Sequence, residues 1–246
     1  MIDLKGHAAL VTGSTSGVGL AIANAFTQAG ARVVTHGLES SAQISADLSS
    51  LSQDSIDVIF DRTLQLSPGC DILVNNAGAF FDLPFEQMTF DRFEKTMRLN
   101  VQAGYFLTQR FAKHWLANNI RGRVLFTGSI NGRLAEPNST AYDISKGAVE
   151  MMVKTLAVAL APKGIRVNGI APGLVRTNAT RWLDEQLERA RWMELHTPNG
   201  TVPGPEVCGP GAVYLCSDAA EHVTGQMLLV DGGMSAWQQP SMPTKP

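Results

Sequence analysis

Tyr142 and Lys146 stand four residues apart in the stretch SINGRLAEPNSTAYDISK, residues 129–146, and Ser129 opens it. If the segment around Tyr142 is helical, positions i and i+4 share one face, so the phenol and the ammonium reach one site. A cation beside a phenol favours the phenolate and is expected to lower its pKa from the usual value of about 10. A phenol tuned in this way donates a proton to a carbonyl oxygen, or takes one from an alcohol, near neutral pH. Ser129 follows the strand-like run RVLFTG and is placed to hold that same oxygen by a hydrogen bond. An isolated Tyr-x-x-x-Lys is more often a surface pair than a catalytic one, so the surroundings decide.

A second constellation lies near the start of the chain. The apolar run HAALV (7–11) leads into TGSTSGVGL, where Gly13, Gly17 and Gly19 precede a helical pattern. Such a turn lets the backbone approach a pyrophosphate, whose charge the amides at the helix N-terminus stabilise. The spacing G-x-x-x-G-x-G differs from the commoner G-x-G-x-x-G. For this motif alone, a merely tight turn is the alternative.

The elements that must position these groups alternate along the chain. HAALV, ARVVT (31–35), DILV (71–74), RVLF (123–126), IRVNGI (165–170) and MLLV (227–230) read as strands. Between them, 19–30, about 51–66, 91 to about 116 and 140–161 read as helices. Strands apolar on both faces that alternate with helices predict a parallel sheet covered on both sides. The expected fold is therefore α/β, a Rossmann-type doubly wound sheet in three layers. Gly30 and Gly164 fall where helices should stop. From Gly37 to the ADL at 46–48 the chain has too few residues for the usual crossover helix. Residues 38–45 are expected to be extended, with at most one helical turn. That would leave an open adenosine pocket with weak discrimination at the ribose 2′ position.

Six motifs in order, TGSTSGVG (12–19), NNAG (75–78), Asn100, Ser129, YDISK (142–146) and PGLVRT (172–177), closely resemble the short-chain dehydrogenases/reductases. The closing VTGQMLLVDGG (223–233) is similar to that family's last strand, so the resemblance spans about residues 4–235. It implies an NAD(P)-dependent oxidoreductase that interconverts secondary alcohols and ketones by hydride transfer, with Asn100, Ser129, Tyr142 and Lys146 as the catalytic set. In it Lys146 also contacts the nicotinamide ribose, and Asn100 helps hold a proton-relaying water. The dinucleotide would lie against Gly13, Ser14, Ser16, Gly17, Val18 and Gly19. Gly37 and Leu38 would meet the adenosine ribose, Asp47 and Leu48 the adenine, and Asn76, Ala77 and Gly78 the adenosine side. Tyr142, Lys146, Pro172, Gly173, Val175 and Thr177 would complete the nicotinamide end. No metal is implied.

Relatives that prefer NAD usually carry Asp where this chain has Gly37, and those that prefer NADP carry Arg at 38 or a basic residue at 16. Here Leu38 and Ser16 match neither. Without an Arg fork or Lys for a 2′-phosphate, the expectation is NAD. His36, Ser40 and Ser41 leave a polar pocket for NADP open. A substrate over the nicotinamide would meet Asn131, Arg133, Glu136 and Asn138, which favours a small polar molecule such as a sugar, polyol or hydroxy acid. Residues 178–205, with Trp182, Trp192 and His196 and a Pro/Gly-rich end, read as a lid. Alternatives are a 3-oxoacyl-thioester reductase using NADPH, and a dinucleotide-sensing regulator without catalysis.

With 246 residues, 44% hydrophobic and 17% charged, the chain reads as one domain over 1–246. A formal charge of −2 and no basic stripe argue against nucleic acid or an anionic membrane as partner. The N-terminal MIDLKGHAALVTG reads as a strand rather than a signal peptide, and no run is long enough to span a bilayer. Cys70, Cys208 and Cys216 have neither disulfide nor metal spacing and are expected to be buried thiols in a reducing compartment. A cytoplasmic protein is expected. The resemblance implies a homotetramer paired through 91–116 and 140–161, where Phe106, Phe111, Met151 and Met152 have no obvious core face. The tail QQPSMPTKP is expected to be loose or clasped by a partner.

Overall fold

The computed structural model describes residues 2–50 and 52–237, so the tail at 238–246 and Leu51 lie outside the described residues. Seven parallel strands form one sheet. They are β1 (Ala8–Val11), β2 (Arg32–Gly37), β3 (Ile44–Ser45), β4 (Ile72–Asn75), β5 (Arg123–Thr127), β6 (Arg166–Pro172) and β7 (Met227–Val230). Their order is β3-β2-β1-β4-β5-β6-β7, which reverses between β1 and β4. Leu10 of β1 registers with Val34 of β2 on one side and Leu73 of β4 on the other.

Successive side chains leave a strand on opposite faces, and each face of this sheet has its own core. Leu10, Leu73, Val124 and Phe126 pack on one face, under α2 (Gln53–Leu66), α4 (Ala103–Ala117) and α5 (Thr140–Leu160). Ala9, Val11, Val74 and Ile170 pack on the other, under α1 (Gly17–Gln28) and α8 (Cys208–Cys216). Burial on both faces is why β1 and β4 carry no polar residue before their last position. This is the three-layered, doubly wound sheet expected from the sequence. Gly30 and Gly164, just past the ends of α1 and α5, both take the left-handed conformation. The three cysteines are buried free thiols.

The reading of 91–116 as one helix needs correction. Helix α3 (Phe90–Met97) passes into a π-helical turn at Arg98–Gln102 before α4 begins. Phe111 of α4 and Met152 of α5 belong to the core, whereas Phe106 and Met151 are exposed. Burial against the sheet claims the first pair, which periodicity alone did not separate from the second.

The second crossover is as short as expected, and residues 38–43 contain no helix. Side chains brace the passage instead. The Thr35 amide donates to Gln43 Oε1 (3.0 Å), and the Gln43 amide donates to Thr35 Oγ1 (3.1 Å). No helix among the described residues is long and apolar enough to cross a membrane.

Candidate active site

The carboxyl ends of β1, β4, β5 and β6 open on a common cleft, where such sheets bind ligands. A cavity of about 380 Å³ lies there, and its lining includes Ser129, Tyr142 and Lys146 together with Val18, Asn76, Gly78, Pro172, Gly173, Val175 and Thr177. Ser129 follows β5, and its Oγ accepts from the Asn131 amide (3.1 Å), which fixes its position. Tyr142 and Lys146 lie on the first two turns of α5, with the ammonium 5.4 Å from the phenol ring centroid. The edge of Phe80 meets the other side of that ring, at a centroid distance of 5.1 Å.

The electrostatics of this pair differ from the sequence expectation. Burial pushes the Tyr142 hydroxyl up to about 12, with Asp143 and Glu136 adding to the rise and a hydrogen bond to Ser129 opposing it. Burial also lowers Lys146 to about 8. The Lys146 ammonium donates to the Thr127 carbonyl at 2.8 Å. Loss of solvent around the hydroxyl dominates, so the phenol holds its proton at neutral pH. A protonated phenol suits proton donation to a carbonyl oxygen.

Asn100 joins two parts of the chain. Its Oδ1 accepts from the Ala79 amide (2.7 Å), while its Nδ2 donates to the Ala79 carbonyl (3.0 Å) and to Ser145 Oγ (2.9 Å). The side chain therefore clamps the loop after β4 onto α5; both Nδ2 hydrogens are used, and Oδ1 keeps one lone pair. It does so from the π-helical turn, a distortion often found at functional sites.

The glycine turn shows why glycine is needed. A Cβ on Gly19 would stand 2.2 Å from the Gly13 carbonyl oxygen and 2.3 Å from Asn76 Nδ2. Asn76 Nδ2 donates to the Thr12 and Gly13 carbonyls (3.0 and 3.1 Å), so Asn76 straps the turn to the NNAG loop. Ser16, the N-cap of α1, makes no side-chain bond to the first helix amides. Open amides and a backbone without side chains form a cradle that fits a dinucleotide pyrophosphate. Ser14 is used internally, its hydroxyl donating to the His36 carbonyl (3.3 Å) and accepting from the His36 amide (3.0 Å).

At the adenosine end, Asp47 is exposed and accepts from the Ser49 amide (2.8 Å), while the Leu48 side chain is buried in the core. Leu48 can therefore offer an adenine only its main chain. Leu38 is 68% exposed. His36 is buried, its Nε2 has no hydrogen-bond partner, and burial lowers its pKa to about 4. A neutral, enclosed imidazole supplies no cation for a 2′-phosphate.

Glu39 was missed by the sequence reading. Its carboxylate reaches the glycine turn and accepts from Thr15 Oγ1 at 2.6 Å. The available signal was an acidic residue about 20 positions after the turn.

At the substrate end, Asn131 and Glu136 line the cavity, but Arg133 and Asn138 do not. Arg133 is paired with Glu150 (2.9 Å), and the Asn138 carbonyl accepts from the Leu83 amide (2.9 Å). Much of the remaining wall is apolar: Phe80, Ile130, Leu174, Val175, Met193 and Met234. Met193 belongs to α7 (Leu187–Leu195), which follows the short α6 (Trp182–Glu185). This segment has a small core of Leu183, Ala190 and Val202, with Trp182 packed against it. Trp192 is exposed and stacks on His196 instead. Arg176 ties the segment down by donating to Asp184 (2.8 Å) and to the Val202 carbonyl (3.1 Å).

A family model described as enoyl-(acyl carrier protein) reductase matches residues 13–235. The chain is 33% identical over 254 aligned positions to 3beta-hydroxysteroid dehydrogenase 1 of Eggerthella lenta, covering 96% of each chain. It is also 33% identical to glucose 1-dehydrogenase 2 of Bacillus subtilis, over 96% of this chain and 97% of that one. Among solved structures, gluconate 5-dehydrogenase of Burkholderia cenocepacia, in complex with NADP and tartrate, superposes with a TM-score of 0.90. It shares 30% identity, and the match covers 96% of this chain and 98% of that one. The chain belongs to the short-chain dehydrogenase/reductase family and is an NAD(P)-dependent oxidoreductase acting on CH–OH groups.

Proposed function

We propose that the protein interconverts a small, uncharged secondary alcohol and its ketone, with Tyr142 as the proton donor and acceptor. The observation that carries this reading is the grouping of Ser129, Tyr142 and Lys146 in one cavity beside the glycine turn. Ser129 holds the substrate oxygen, and Tyr142 gives that oxygen its proton in reduction and takes it back in oxidation. Lys146 places a cation beside the phenol and keeps it oriented. Asn100 acts indirectly, by locking the Ala79 loop against α5.

The dinucleotide would be held by Gly13, Ser16, Gly17, Val18 and Gly19 at its pyrophosphate. Asn76, Ala77, Gly78, Asp47 and the Leu48 main chain would flank the adenosine, and Pro172, Gly173, Val175 and Thr177 the nicotinamide. Bound there, it supplies or accepts the hydride. NAD is the favoured form, because Leu38 and Ser16 offer no cation to a 2′-phosphate.

Two features support this substrate class. The apolar wall favours a compact carbon skeleton over a fully hydroxylated one, and Glu136 at the rim disfavours carboxylates such as hydroxy acids. Residues 178–205 act as the lid, since Met193 from this segment lines the same cavity. The same rim carboxylate argues against an acidic carrier protein, and so against a thioester reductase. Exposed Tyr105, Phe106, Met151 and Val158 on α4 and α5 suit pairing with a second copy. Light scattering at micromolar concentration should accordingly report more than a monomer.

Tyr142→Phe tests the central assignment. It should cut kcat by at least about a thousandfold while dinucleotide affinity stays within about twofold, since only the transferable proton is lost. Activity within about tenfold of the wild type would remove Tyr142 from the chemistry.

A further inference from the structure

The loop that replaces the missing crossover helix turns back on itself. The Ala42 amide donates to the Glu39 carbonyl at 3.1 Å, which closes a turn over residues 39–42. Leu38 is left in solvent, and Glu39 is directed over the glycine turn to accept from Thr15 Oγ1 at 2.6 Å. A Cβ on Gly37 would stand 2.9 Å from that same carboxylate oxygen and 2.6 Å from Thr15 Cγ2. The Thr15 side chain and the Glu39 carboxylate together occupy the space beside position 37. The short loop delivers an acid from two residues downstream.

We propose that Glu39 is the residue that reads the adenosine ribose and makes the enzyme selective for NAD(H), with Thr15 as its positioning residue. This rests on the dinucleotide reading of the same cleft. A carboxylate is an acceptor only, so it matches the two hydroxyls of an unmodified ribose. A 2′-phosphate brings about two negative charges and only acceptor oxygens, which repel it. Nothing nearby neutralises that repulsion. No ion pair to Glu39 exists among the described residues, and His36 beneath it is held neutral. The hydrogen bond from Thr15 and those from backbone amides keep the Glu39 carboxyl below its ordinary pKa, so it is ionised at neutral pH. The short crossover thus sharpens discrimination at the 2′ position, opposite to the expectation from loop length alone.

The test is direct binding, independent of any substrate. Affinities of the full chain for NAD+, NADP+, adenosine 5′-monophosphate and adenosine 2′,5′-bisphosphate are measured by calorimetry. Wild type should bind NAD+ roughly a hundredfold more tightly than NADP+, and the two adenosine nucleotides should keep the same order. Glu39→Gln should bring the ratio below about tenfold, mostly through a gain for NADP+. Thr15→Val should narrow it part of the way, and Thr15→Ser, which keeps the hydroxyl, should restore it. Glu39 is exposed, and unchanged melting would show that the variants fold. A wild-type ratio under about threefold, or one that Glu39→Gln leaves unaltered, overturns the proposal while the cofactor reading stands. Failure of the wild type to bind any dinucleotide overturns both.

Discussion

Lys146 is a buried cation whose cost can be worked out. It is 6% exposed, and its pKa falls from 10.5 to about 8. At pH 7 the folded state therefore carries a charge that the unfolded chain solvates better, by about 3 kcal/mol at 1.36 kcal/mol per pKa unit. Lys146→Met removes that charge and keeps most of the volume. It also leaves the Thr127 carbonyl, now bonded at 2.8 Å, without its donor, which costs about 1–2 kcal/mol. The inactive variant should therefore be more stable than wild type by about 1–2 kcal/mol at pH 7. The sign of the pH dependence follows from proton counts. Between about pH 8 and 10.5 the unfolded chain holds the Lys146 proton and the folded chain has lost it, so this contribution makes wild type more stable as pH rises. The buried cysteines, whose thiols burial pushes up, act in the opposite direction above about pH 9. They are common to both proteins and cancel in the difference. Urea denaturation at pH 7, 8 and 9.5 should thus show the advantage of Lys146→Met shrinking with pH. A variant less stable than wild type at pH 7, or an advantage that does not move with pH, would refute the buried-charge argument.

Two substitutions probe the cradle and the rim. Gly19→Ala would drive a methyl group into the Gly13 carbonyl, so it should cost about 1–3 kcal/mol by urea titration and weaken NAD+ binding more than tenfold. Unchanged stability and affinity would mean that the turn is looser than its contacts indicate. Glu136→Gln should raise kcat/KM for alcohols bearing a carboxylate, relative to neutral ones, by about fivefold or more. A ratio that does not move would place Glu136 outside the substrate's reach.

The sequence revealed what depends on local pattern. The strand runs are apolar on both faces because the sheet is covered on both, and the four-residue interval between Tyr142 and Lys146 brings both into one cavity. It did not reveal what depends on solvent and on loop paths. The Lys146 ammonium was expected to lower the phenol pKa, but the interval says nothing about the Thr127 carbonyl that binds this ammonium or about the burial that dominates both groups. Arg133 looked available to a substrate until Glu150, seventeen residues away, proved to be its partner. Glu39 escaped because side-chain identity at positions 37 and 38 is informative only if the loop leaves the strand in the usual direction.

The departures from ordinary local rules collect at one end of the sheet. The π-helical turn under Asn100, the half-buried phenol and buried ammonium of α5, the unpartnered Nε2 of His36 and the close packing that leaves no room for a Cβ at Gly19 all lie at or beside the same cleft. At the opposite end, charges pair with one another, as Arg123 does with Asp71 at 2.8 Å. Buried polar groups without partners persist when something outside the folded chain completes them or when function repays their cost. The π-helical turn carries Asn100, which clamps the Ala79 loop, and the loss of solvent around Lys146 is what its buried charge costs. These features weaken the fold but sharpen the site, which is why removing the charge of Lys146 should stabilise the protein and abolish its chemistry together.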